Sequence, residues 1–180
     1  MGRASGSTIG TNSTAIDNNT IASAVNAHAE GDHSIASNSA AHAEGYYTTA
    51  NNIGAHSEGM GDISSTKQVA GSTYTSTGAH GLGSHAEGHN TWAIGNYSHA
   101  EGETTLAVGT RSHAEGAGDL LEDKTINNTI YHGSGTYGSC AHSEGNSTWA
   151  IGNNSHAEGG MTVAVNGHAH AEGLSTMATG

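Results

Sequence analysis

The chain has no proline, no phenylalanine, one cysteine and only four basic residues. Each shortage excludes something. A lone cysteine, Cys140, cannot make an intrachain disulfide framework and reads as a small residue at a loop-to-strand junction. Four cations (Arg3, Lys67, Arg111 and Lys124) are too few to neutralise a run of phosphates, so nucleic acid is excluded as a partner. No long apolar run is present, so no membrane insertion is expected, and this chain shows no secretory signal peptide. The hydrophobic share, 33%, is low enough to raise the question of a disordered polar tract.

What the chain has instead is a register. His-Ala-Glu-Gly, twice as His-Ser-Glu-Gly, occurs nine times. The ionisable pairs are His28 and Glu30, His42 and Glu44, His56 and Glu58, His85 and Glu87, His99 and Glu101, His113 and Glu115, His142 and Glu144, His156 and Glu158, and His170 and Glu172. The histidines follow one another at 14, 14, 29, 14, 14, 29, 14 and 14 residues. Disorder does not keep such a period; stacked repeats do. Each 29-residue interval is one 14-residue unit plus 29 − 14 = 15 further residues.

The unit divides into two sevens. From Ser84 the chain reads SHAEGHN, TWAIGNY, SHAEGET, TLAVGTR, SHAEGAG. Positions 2 and 4 are large, position 3 is Ala or Ser, and position 5 is usually Gly. This alternation predicts a short strand and a tight turn, with Gly expected to supply a positive φ. Two short strands per 14-residue coil make a parallel β-roll solenoid that advances about 4.8 Å per coil, so like residues lie over like. One array is expected over 6–180, with lateral excursions at about 60–83 and 117–140. The excursions match in register: Asp62 with Asp119, Lys67 with Lys124, Val69 with Ile126, Tyr74 with Tyr131. Residues 6–27 continue the sevens, with Ile21 and Val25 expected in place of the charged pair.

His and Glu at positions 2 and 4 share one face of a strand. Either the large residues face inward between the two strands of a coil, or Ala packs inside and the large residues line a subunit boundary. The second arrangement, with half-buried His and Glu near the boundary, is favoured. Formal charge is −12 with neutral His and −12 + 9 = −3 with nine protonated motif histidines. Stacked carboxylates repel, so a histidinium between glutamates is expected to neutralise the ladder. On that reading, acid (removing Glu charge) and higher pH (removing His charge) should both weaken assembly.

No cofactor and no resident metal are expected. If a metal binds, the pair His168 and His170 in His-Ala-His is the candidate. Catalysis is not expected either: Ser and His at adjacent positions point to opposite faces, so Ser-His-Ala-Glu is no triad. Trp92 and Trp149, 149 − 92 = 57 residues apart, read as core or interface fillers rather than a sugar platform. In the excursions, Lys67, Tyr74, Lys124 and Tyr131 are the candidates for contact with a partner.

TWAIGNY at 91–97, TLAVGTR at 105–111 and TWAIGNN at 148–154 resemble the head-domain repeats of trimeric autotransporter adhesins, whose strands read like SVAIG. SHAEG resembles the same frame with Val and Ile exchanged for His and Glu, a variant similar to repeats of phage tail-fibre-like proteins. The resemblance implies an all-β, left-handed parallel β-roll solenoid that forms a parallel homotrimer. It further implies a structural and adhesive fibre segment, first of all a phage or phage-like tail fibre contributing to host attachment. A bacterial trimeric surface adhesin head and a metal-binding His/Glu array are the alternatives. Its partners would be itself and an unknown cell-surface receptor, and its place a virion tail fibre or the cell surface.

Overall fold

The computed structural model describes residues 9–180; the part of the array expected at 6–8 lies outside them. Two ten-stranded parallel sheets run the length of this region and face each other. One holds the His-Ala-Glu-Gly strands, five residues each, and is called here the ladder sheet. The other holds two-residue strands such as Trp92–Ala93 and Leu106–Ala107, and is called the apolar sheet. The chain alternates between them, one strand of each per coil. His85 pairs with His99, and His99 with His113, without slippage. No helix occurs among the described residues.

The expected β-roll of 14-residue coils is therefore what forms, and small residues explain it. The alanines at position 3 of both sheets point between them: Ala86, Ala93, Ala100 and Ala107 are all 0% exposed. A core of methyl groups lets the two sheets approach closely, with no room for anything larger. This decides between the two packings left open by the pattern: Ala is inside, and His and Glu are outside. The hydroxyl at position 1 closes the turn before each ladder strand. Ser84, Ser98, Ser112 and Ser155 donate to the carbonyls of Gly81, Gly95, Gly109 and Gly152 at 2.6–2.8 Å.

Three readings of the sequence need correction. First, positive φ is not what every position-5 glycine supplies. Ladder glycines such as Gly88 and Gly102 do have φ of +105° and +100°, but Gly95 and Gly109 do not lie in that region. What those two provide is space, since a Cβ on Gly95 would lie 2.1 Å from the Gly109 carbonyl oxygen. The other left-handed site is position 7, filled by Tyr97, Thr104, Arg111, Asn154 and Met161 at φ of 53° to 58°. Second, the first coil replaces the charged pair with Thr14 and Ile16. Thr14 pairs with His28, whereas Ile21 pairs with Ile35 in the apolar sheet. Third, the excursions are narrower than 60–83 and 117–140. Gly78 already pairs with Trp92, and Gly135 with Trp149, so residues 78–83 and 135–140 are roll.

What leaves the roll is 62–76 and 119–133, each 15 residues long (76 − 61 and 133 − 118), inserted after a ladder strand. Each is a β-hairpin: Thr66–Val69 against Ser72–Thr75, and Asp123–Ile126 against Thr129–His132. Their two-residue turns, Ala70-Gly71 and Asn127-Asn128, have φ of 48° and 80°, and 48° and 60°, as a type I′ turn requires.

The hairpins fold back over the apolar sheet. Val69, Tyr74 and Leu120 pack with Trp92, Ile94 and Leu106. Ile126 and Tyr131 pack with Trp149, Val163 and Val165. Both tryptophans are thus buried fillers, on the outer side of their sheet but beneath a hairpin.

Candidate functional site

The outward face of the ladder sheet is the densest concentration of chemistry in the chain. Parallel register sets the strand spacing, and strand spacing sets the ring spacing. From His42 to His170, successive imidazoles stack at centroid distances of 4.6–4.9 Å with planes within 8° of parallel. The first pair, His28 and His42, is tilted by 59°. The rings are about one-third exposed, as are the glutamates beside them.

Apart from His56, each Nε2 has a carboxylate of its own strand, of the preceding coil, or both within 4.0 Å. His85 Nε2 lies 3.5 Å from Glu58 and 3.5 Å from Glu87. His142 lies 3.4 Å from Glu115 and 3.8 Å from Glu144. Only His28, His113 and His170 come close enough for hydrogen bonds, to Glu30, Glu101 and Glu158 at 3.3, 3.1 and 3.3 Å. Several groupings of two histidines and a glutamate, such as His85, Glu87 and His99, place ligand atoms within 4.8 Å of one another.

At three positions of the column the electrostatics disfavour the histidinium form. Burial pushes the pKa of His56, His99 and His142 below the ordinary value, and the neighbouring imidazoles push it further; the glutamates oppose this without overcoming it. In the folded chain the charged form of these three rings is disfavoured. The expected alkaline weakening is therefore corrected for these three, because folding disfavours their charged form rather than stabilising it. The sign follows from linkage. A folded-state pKa below the unfolded value of about 6.5 leaves the stabilisation fully present above pH 6.5 and loses it as pH falls through the folded pKa. We predict that metal-free protein shows a melting temperature that is level from about pH 7 to 9 and falls on acidification below about 6.5. A maximum near pH 5 with a decline on the alkaline side would show charged histidines instead.

The His168 and His170 pair is not brought together as the sequence implied. His170 stacks on His156 at 4.9 Å as the last ring of the column. His168 sits in the turn before it, at φ 65°, with its N–H on the Asn153 carbonyl. The alternation that would aim both imidazoles one way does not extend into that turn. The motif serines are committed to turn closure and buried, away from the outward imidazoles.

The four excursion residues face inward. Lys67 is 8% exposed and its Nζ donates to the Leu120 carbonyl at 2.9 Å, joining the first hairpin to the base of the second. Tyr74 meets the buried His80 ring edge-on, and His80 stacks on Trp92. Lys124 Nζ stands 4.2 Å over the Trp149 ring, and Tyr131 packs edge-on to Tyr137. These side chains hold the hairpins down. What the hairpin region turns outward is Leu121, 94% exposed, and Ile130, 54% exposed. Alternation within two short strands separated by Ala70-Gly71 in one hairpin and Asn127-Asn128 in the other identifies the inward set.

Two overlapping stretches, residues 86–112 and 100–118, match the YadA head domain repeat. They cover the coils from the strand of His85 to that of His113, including TLAVGTR and two SHAEG sevens. No curated protein matches the chain.

Proposed function

We propose that this roll, carrying YadA head domain repeats, is a structural and adhesive fibre segment that assembles as a parallel homotrimer and serves a phage or phage-like tail fibre in host attachment. The observation that carries this reading is the unbroken parallel register of both ten-stranded sheets. Ten coils at about 4.8 Å give a rod of roughly 45 Å whose rigidity comes from continuous ladders of backbone hydrogen bonds. The segment has no catalytic task in this reading.

The trimer boundary is the ladder face. The apolar sheet has its own hairpins packed over Trp92, Leu106, Trp149 and Val163, whereas the ladder sheet is left open. Its alternating imidazoles and carboxylates complement a second copy of themselves. The receptor-facing part is the hairpin region with Leu121 and Ile130, since loops on a rigid scaffold are where contact residues concentrate. A bacterial surface adhesin head is the second reading, favoured by the same repeat match. Sedimentation equilibrium should give three times 18.0 kDa. Labelled protein should then bind intact bacterial cells and not immobilised extracellular matrix. Matrix binding without cell binding selects the adhesin, and a monomer at micromolar concentration removes both readings.

The frame itself should not need the charged pair. Thr14-Ala15-Ile16 already occupies the ladder register in the first coil. We therefore predict that replacing His99 and Glu101 together by Val and Ile changes stability by no more than about 1 kcal/mol, as for half-exposed positions generally. Chemical denaturation measures this. A much larger loss would mean that the polar ladder is an obligatory network.

A further inference from the structure

We propose that the histidine column is a linear array of zinc sites, each made by two imidazoles of neighbouring coils and the carboxylate beside them. The inference stands apart from the fibre reading, because every site is formed within one chain.

Three observations carry it. The Nε2 atoms of His42, His56, His85, His99, His142 and His156 are shut off from solvent and have no hydrogen-bond partner. Nitrogen atoms in that state are normally satisfied by something. The carboxylates that face five of them stand off at 3.4–4.0 Å. That is too long for an N–H···O bond, which prefers about 2.9 Å. It is near the distance between two ligands of one tetrahedral ion, about 3.3 Å for metal–ligand bonds of about 2.0–2.1 Å. Finally, adjacent rings present Nε2 in the same direction from nearly parallel planes at 4.6–4.9 Å. For two such rings to chelate one ion, their Nε2 atoms must close from within 4.8 Å to about 3.3 Å and both rings must rotate out of their parallel planes, because an imidazole binds along a lone pair in its own plane.

The donor set selects the metal. Imidazole with a carboxylate suits zinc, whose remaining position is filled by a further donor such as water. Sites that share a histidine compete, so neighbouring rings are used in pairs. Nine rings taken two at a time fill four sites and leave one ring over, so saturation is expected at about four ions per chain. The turn residue His168 plays no part.

The test is calorimetric titration of Zn2+ into the chelator-treated full chain. About four ions per chain are expected, with a rise in melting temperature. The variant with His42→Val, His85→Val, His113→Val and His156→Val leaves no two neighbouring imidazoles, in a frame that already accepts aliphatic residues. If folded by circular dichroism, it should take up no zinc, while His168→Ser should keep the full stoichiometry. Should the fourfold variant fail to fold, Cu2+ bound to the wild-type chain supplies the answer: its electron paramagnetic resonance spectrum should show coupling to two imidazole nitrogens. No saturable uptake by the wild-type chain, undiminished uptake by the folded variant, or coupling to a single nitrogen would each overturn the proposal.

Discussion

Gly102→Ala is expected to be among the most damaging single substitutions in the roll, costing about 4 kcal/mol or more. Two penalties coincide there. Gly102 has φ +100°, a conformation that costs an L-residue about 1–2 kcal/mol. Its Cβ would also lie 2.2 Å from the Gly116 carbonyl oxygen of the next coil. That oxygen is backbone in a parallel ladder and cannot swing aside, so the two coils must separate and weaken the pairing on both sides of the break. Two controls divide the effect. Gly95 does not need a positive φ, but its Cβ would stand 2.1 Å from the Gly109 oxygen, so Gly95→Ala tests the clash alone. Gly71, in a hairpin turn at φ +80°, has nothing within 4 Å, so Gly71→Ala tests the backbone alone and should cost about 1 kcal/mol. Equilibrium denaturation of the three variants measures all of this. Equal losses at Gly102 and Gly71 would show that close stacking is not what holds the coils.

The same close approach explains why so much of the fold was legible. When like residues lie over like, every coil must solve the same steric problem, and the answer recurs as Ala at position 3 and Gly at position 5. The period and the strands therefore stood in the sequence. What alternation cannot say is which of two faces is inside when one carries Ala and the other His and Glu. The volume of the space between the sheets decides that, and only methyls fit.

The left-handed position 7 is only partly legible in the sequence: Asn90 and Asn154 suit a positive φ, but Tyr97, Arg111 and Met161 at the same position do not signal one. Taken one at a time, Lys67, Tyr74, Lys124 and Tyr131 look like surface residues, so their sequence suggests lateral protrusions. In the fold, Lys124 lies over an indole and Lys67 spends its charge on a carbonyl. For the ladder, spacing gave its members. Its charge state followed from burial and ring stacking, which push His56, His99 and His142 towards the neutral form.

Trp149→Ala should cost about 3–5 kcal/mol, the range for deleting a buried tryptophan, and the loss should be local. The indole is fully buried, with Val163, Val165, Ile126 and Tyr131 around it and Lys124 above. Its Nε1 has no hydrogen-bond partner, so the substitution removes apolar contact and the cation–π pairing and breaks no hydrogen bond of the indole. Ala150, the next residue, belongs to the methyl core between the sheets and is untouched. The roll should therefore persist while the second hairpin lifts away. In a stacked array each unit contacts chiefly its neighbours, which permits such partial release. Hydrogen exchange should show protection lost across Asp123–Ile126 and Thr129–His132, with the ladder strand His142–Asn146 still protected. Limited proteolysis should cut near the exposed Leu121. If the hairpin stays protected, its anchor lies elsewhere, in Lys67 or Tyr137. If ladder and hairpin lose protection together, the hairpin is part of the cooperative unit that holds the rod, and a receptor-facing role for it would have to be exercised without release from the sheet.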